Sequence, residues 1–75
     1  EDQIIDAQIE SQVRAMVDAL PEEQREVVMM RYFSGMSFKE IAEHTDVSIN
    51  TALGRMRYAL INLRKMMKEK QLILN

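Results

Sequence analysis

The chain has 75 residues, 47% hydrophobic and 29% charged, with no cysteine, one proline and two glycines. That length makes one domain that buries only about 60% of its unfolded surface, and the absence of cysteine excludes disulfides and thiolate zinc sites as aids to a small core. The formal net charge of -2 hides an asymmetry: from Ser48 onward Arg55, Arg57, Arg64, Lys65, Lys68 and Lys70 face only Glu69, whereas the remaining eleven acidic residues lie before Ser48 with four basic ones, so one face can attract phosphate while another repels it.

Helical periodicity runs through the chain and strand signals are weak, which predicts an all-α fold. Ile5, Ile9, Val13, Met16, Val17 and Leu20 recur at three- and four-residue steps and place an apolar stripe on a first helix over about residues 3 to 19. Leu20-Pro21-Glu22-Glu23 breaks it and opens a second helix, because proline suits a first turn and acidic side chains favour the positive end of the helix dipole. That helix is expected over about 22 to 33. Gly35 suits a left-handed closing position, and Ser37-Phe38-Lys39-Glu40 has the capping-box spacing that starts a short third helix, about 38 to 45, with Phe38, Ile41 and Ala42 inward. Val47 then serves as an apolar anchor and Ser48 as the N-cap of a fourth helix, about 49 to 69. Its stripe is Ile49, Ala52, Met56, Ala59 or Leu60, Leu63 and Met67, with Arg, Lys, Asn and Thr elsewhere. The apolar end Leu72-Ile73-Leu74 reads as a frayed terminus, a last turn on the first helix, or a partner contact.

The longest apolar run, Val27 to Met30, stops at Arg31 and is far too short for a bilayer, so no membrane association is expected and a cytoplasmic setting fits. The opening at Glu1, without methionine, reads as a piece of a longer protein.

A short capped helix, a tight turn, and a longer helix that is polar at its start and basic later make a helix-turn-helix. In that arrangement the second helix enters the major groove with its first residues at base edges. The outward positions of its first turns are Asn50, Thr51, Leu53, Gly54, Arg57 and Tyr58. Asn can pair with adenine, Arg with guanine, and Thr or Leu can touch a thymine methyl, so the set can read sequence. Gly54 costs about 1 kcal/mol in a helix interior relative to alanine, which points to a close approach at its backbone, by DNA or by another helix.

The ordered run Leu20-Pro-Glu-Glu-Gln-Arg-Glu-Val-Val-Met-Met-Arg-Tyr-Phe, then Gly35-Met-Ser-Phe-Lys-Glu-Ile-Ala-Glu, then Val47-Ser-Ile-Asn-Thr-Ala-Leu-Gly-Arg-Met-Arg-Tyr-Ala-Leu-Ile-Asn-Leu-Arg64 resembles the C-terminal promoter-binding domain, region four, of bacterial sigma factors of the extracytoplasmic-function type. The resemblance covers about residues 20 to 65. It implies binding to the minus-35 promoter element and to the β flap of core RNA polymerase, capture by an anti-sigma factor in many members, and a monomer when isolated. It places DNA-facing positions on Phe38 and Lys39 of the third helix and on Asn50, Thr51, Leu53, Gly54, Arg57 and Tyr58 of the fourth; Ser48 at the helix start and Arg55 complete the candidate DNA-binding set as phosphate contacts. Leu53-Gly54 stand where many members carry a basic residue and a serine, and Tyr58 where an arginine is common.

Structural roles compete for several of these residues. Arg55 can grip phosphate or pair with Glu40 or Glu43 on the preceding helix. Arg64, Lys65, Lys68 and Lys70 read as a solvated basic face, and Arg31 beside Tyr32 as packed or paired within the core. His44 has no second ligand at metal spacing, so no metal and no cofactor is expected. Met16, Met56 and Met67 fit core stripes, which leaves Met29, Met30, Met36 and Met66 as candidate surface contacts. No nucleophile with its base, carboxylate pair or phosphate loop points to catalysis. Two other functions fit the pattern: the DNA-binding domain of a response regulator or quorum-type activator, which dimerises through its last helix, and a protein-interaction module that never touches DNA.

Overall fold

The structure, a computed structural model, describes residues 2–69, and the side chains of residues 10–69. Four α-helices follow one another: α1 (Asp2–Asp18), α2 (Glu22–Val28), α3 (Phe38–Thr45) and α4 (Ile49–Glu69). Among the described residues there is no strand, and no helix is long and apolar enough to cross a membrane. Lys70 and the apolar end Leu72-Ile73-Leu74 lie outside the described residues, as do the side chains of Ile5 and Ile9.

Each junction follows from local chemistry. Pro21, with φ -53° and ψ 150°, holds extended backbone just before α2, and Glu22 and Glu23 occupy the first turn. Past Val28 the helix widens into a π-helical segment, Met29–Phe33, where the sequence predicts continued α-helix. The Ser34 amide donates to the Met29 carbonyl at 3.0 Å and the Met36 amide to the Met30 carbonyl at 3.0 Å, so the helix end is closed by longer-range bonds. Gly35, at φ +68°, takes the left-handed turn that brings the chain to α3.

Ser37 caps α3 in both directions, its hydroxyl accepting from the Glu40 amide at 3.1 Å while the Glu40 carboxylate accepts from the Ser37 amide at 2.8 Å. At the other end Asp46 adopts a left-handed conformation, φ 58° and ψ 46°, and the Val47 amide donates back to the Ala42 carbonyl at 3.0 Å. Val47 packs against the core, which fixes the direction of the chain entering α4.

The core is the meeting of all four helices: Val17 from α1 and Leu20 just after it, Val27 and Val28 from α2, Ile41 and Ala42 from α3, and Ala52, Met56 and Ala59 from α4. Both α2 and α3 pack on α4. Ala52 and Ala59, two turns apart and fully buried, let neighbouring helices approach the α4 axis, and Met56 fills the space between them. Ile41 is also fully buried. Truncating it to alanine should cost about 2–5 kcal/mol in a urea melt.

Three assignments of the apolar pattern are corrected. Val13, on the α1 stripe, is exposed and lies outside the core cluster. Ile49 is exposed, because it occupies the opening turn and Ala52 is the first α4 residue to reach the core. Met29, Met30, Met36 and Met66 are not free surface contacts: all four are half-buried against the core, the first two because the π-helical turn carries them alongside it.

Candidate nucleic-acid interface

The first turns of α4 present a continuous outward face. Asn50, Leu53, Gly54, Arg57 and Tyr58 are spaced at helical steps of three and four and so share one side. That side lies opposite the buried Ala52, Met56 and Ala59. Asn50, Thr51, Leu53, Arg57 and Tyr58 are all exposed, and Gly54 is half-exposed.

The start of this face is rigidly built. The Ser48 hydroxyl accepts from the Thr51 amide at 3.1 Å and donates to the Thr51 hydroxyl oxygen at 3.0 Å. Two residues that the sequence assigns to contacts are thus bonded to one another while both remain exposed. A cap of this kind fixes the first turn, so Asn50 and Leu53 project from a defined backbone.

Gly54 is not explained by helix packing. A Cβ built there meets nothing within 4 Å. The alternative that another helix approaches its backbone is therefore overturned among the described residues, and the space beside Gly54 is open.

The arginines divide. Among the described residues the one ion pair joins Arg55 to Glu23 at 2.9 Å, so its partner is on α2 and not Glu40 or Glu43 of α3. The reason is the side of α4 on which Arg55 lies. Asn62, two turns later on the same side, also faces α2, and its amide donates to the Gln24 carbonyl oxygen at 2.7 Å. Arg57, two residues from Arg55, is exposed and takes part in no such pair among the described residues. Arg31 is exposed and not in the core, yet it is engaged: it donates to the Met36 carbonyl at 3.0 Å and lies 4.9 Å from the Phe38 ring centroid. The π-helical turn places its guanidinium over the entry to α3.

On α3, Lys39 is exposed, whereas Phe38 is half-buried against the core and covered on one ring face by Arg31. Lys39 lies in the first turn of α3 and Asn50 in the first turn of α4, so the two helix starts supply separate polar positions.

A second surface was missed in the sequence. Tyr32 and Phe33 are 65% and 53% exposed, and with Val13, Val17, Val28 and Leu63 they line an apolar depression of about 320 Å³. Arg14 covers Phe33, its guanidinium 4.7 Å from the ring centroid. Adjacent aromatics immediately before a glycine-containing turn were the available signal; their outward rotation depends on the π-helical segment, which periodicity did not reveal.

No curated protein matches the chain in sequence. The family model described as Sigma-70, region 4 matches residues 10–60, more than half of the chain. This match decides against the domain of a response regulator or quorum-type activator, and the family is a DNA-binding regulatory one, not a known enzyme family. The chain therefore belongs to the Sigma-70 region 4 family, whose helix-turn-helix serves promoter recognition by sigma factors in transcription initiation and binds promoter DNA and core RNA polymerase.

Proposed function

We propose that this chain is the minus-35 reader of an extracytoplasmic-function sigma factor, acting in the cytoplasm as a monomer held on core polymerase. The observation that carries this reading is the outward face of α4, where Asn50, Thr51, Leu53, Arg57 and Tyr58 are exposed opposite the buried stripe. In the major groove Asn50 can bridge adenine, Arg57 can make a bidentate contact with guanine, and Thr51 and Leu53 can meet thymine methyls. Lys39 and the first-turn backbone amides of α4 that the Ser48 cap leaves free are suited to phosphate, which fixes register without reading sequence.

Arg55 is assigned here to positioning α4 more than to DNA, because its guanidinium is held by Glu23. Phe38, half-buried against the core and covered on one ring face by Arg31, is assigned to the protein interior more than to DNA.

A single reading module buries only about 600–1,000 Å² on DNA, so the isolated chain binds promoters weakly. Tethering to polymerase raises its effective concentration and supplies the remaining affinity. The apolar depression around Tyr32, Phe33 and Leu63 suits the polymerase β flap, because exposed aromatics beside an apolar hollow are typical anchors of a protein interface. An anti-sigma factor covering that hollow would compete with polymerase.

Selection from a randomised duplex pool, with the chain alone and with core polymerase, tests the reading. Convergence on one short motif, placed at minus 35 when polymerase is present, is the expected result. Retention by polymerase with no enriched motif would make the chain an interaction module instead.

A further inference from the structure

Leu53 is 43% exposed in the middle of the outward face of α4, between Asn50 and Arg57. It carries no donor or acceptor, and the next residue, Gly54, offers no side chain at all. Glycine weakens a helix interior relative to alanine. At Gly54 neither a positive φ nor a close contact calls for it, since a Cβ there would meet nothing within 4 Å. The chain thus places an apolar side chain beside a bare stretch of backbone, flanked along the outward face by the polar Asn50 and Arg57.

We propose that Leu53 and Gly54 together form a thymine reader, an inference that rests on the groove-reading function given above. Gly54 lets the helix backbone lie close to the DNA, and the Leu53 side chain then covers the C5 methyl of one thymine. The chemistry selects that base on two grounds. Thymine alone among the four bases presents a methyl group in the major groove. Against adenine, guanine or cytosine, Leu53 would instead desolvate an amino group or acceptor without replacing its hydrogen bond.

The test uses the duplex that the chain selects from a randomised pool, followed by fluorescence anisotropy. Each thymine is replaced in turn by deoxyuridine, which removes only the methyl. Replacement at one position should weaken binding about fourfold, the factor expected for losing burial of one methyl-sized group. Leu53→Ala should bind the thymine duplex more weakly and no longer distinguish it from the deoxyuridine duplex at that position. Cytosine there should bind worse than 5-methylcytosine, because the added methyl restores the apolar contact.

Gly54→Ala should weaken binding of the same duplex while its helical circular dichroism remains intact. Binding of Gly54→Ala as tight as that of the natural chain overturns the close approach.

Salt-dependent, sequence-selective binding with deoxyuridine equal to thymine at every position overturns the thymine reader and leaves the groove-reading function standing. Failure of the natural chain to bind any duplex, alone or with polymerase, removes both. Leu53 also borders a hollow lined by Met56, Arg57, Leu60, Ile61 and Arg64. If Leu53→Ala loses polymerase binding while keeping its thymine preference, that surface docks protein and the inference falls.

Discussion

The Arg55 guanidinium on α4 lies 2.9 Å from the Glu23 carboxylate on α2, and the two side chains are 23% and 70% exposed. The pair joins α4 to the helix behind it. Water reaches the carboxylate freely, so the pair is worth only about 0–1 kcal/mol, and its geometry matters more than its energy. Glu23→Gln should lower stability by less than about 1 kcal/mol in a urea melt, with the salt dependence of DNA binding unchanged. The double reversal Glu23→Arg with Arg55→Glu should recover promoter affinity lost in the Arg55→Glu single variant. Failure of that recovery would return Arg55 to the DNA.

Asn62 and Gln24 make the neighbouring contact, 2.7 Å long and partly buried. Asn62→Ala should cost about 1–3 kcal/mol because a part-buried amide of Gln24 loses its partner. Thermal melts of Asn62→Ala and of the double variant with Gln24→Leu check this: the second substitution should recover part of the loss.

The two glycines should respond with opposite signs although neither has an atom within 4 Å of a built Cβ. Gly35 stands at φ +68°, so Gly35→Ala forces an L side chain into a left-handed backbone and should destabilise by about 1–2 kcal/mol. Gly54 is helical, so Gly54→Ala should stabilise by about 1 kcal/mol. Denaturant midpoints of the two variants measure the contrast, and a destabilised Gly54→Ala would show that the space beside it is not free.

Hydrogen bonding by the Ser37 backbone amide, with help from its side chain, holds the Glu40 carboxyl below its ordinary pKa. A lowered folded value means that the contribution is present above the unfolded carboxylate pKa and is lost as pH falls through the folded one. The melting temperature of the natural chain should therefore exceed that of Glu40→Gln at neutral pH, and the gap should close on acidification. A gap that persists below the carboxylate range would contradict this origin.

Phe33→Ala removes an exposed ring and its contact with Arg14, and should change stability by about 0.5–1 kcal/mol. Its effect on core polymerase should be larger, roughly tenfold or more in affinity, as expected for an aromatic anchor. Pull-down titration against core polymerase measures it. Unaltered polymerase binding with impaired DNA binding would contradict the proposed flap contact at Phe33.

Much of the fold was legible because its punctuation is local. Ser37 and Glu40, three residues apart, spell the start of α3, and both bonds of the box are present. Ser48 caps α4, and Val47 anchors the turn before it. The π-helical segment was not legible, because its bonds from Ser34 to Met29 and from Met36 to Met30 depend on how the chain closes around Gly35. Periodicity put Ile49 on the inner stripe, but being on the stripe does not bring a neighbouring helix over the first turn. It likewise identified Arg55 as a basic group near a helix contact without telling which helix lies there. The outward set from Asn50 to Tyr58 was legible for a simpler reason: once the buried stripe is known, the opposite face follows from 3.6 residues per turn.

The most direct test of groove reading is the slope of log affinity against log salt for duplex DNA, measured for the natural chain and for Arg57→Ala. Each phosphate contact contributes about -0.9 to that slope, so a clearly negative slope is expected for the natural chain. Arg57→Ala should lose about 1–3 kcal/mol of affinity with relaxed preference at one base pair, the signature of a guanidinium bonded to guanine. A flat slope for the natural chain, together with unaltered binding by Arg57→Ala, would contradict the assignment of the α4 face to DNA.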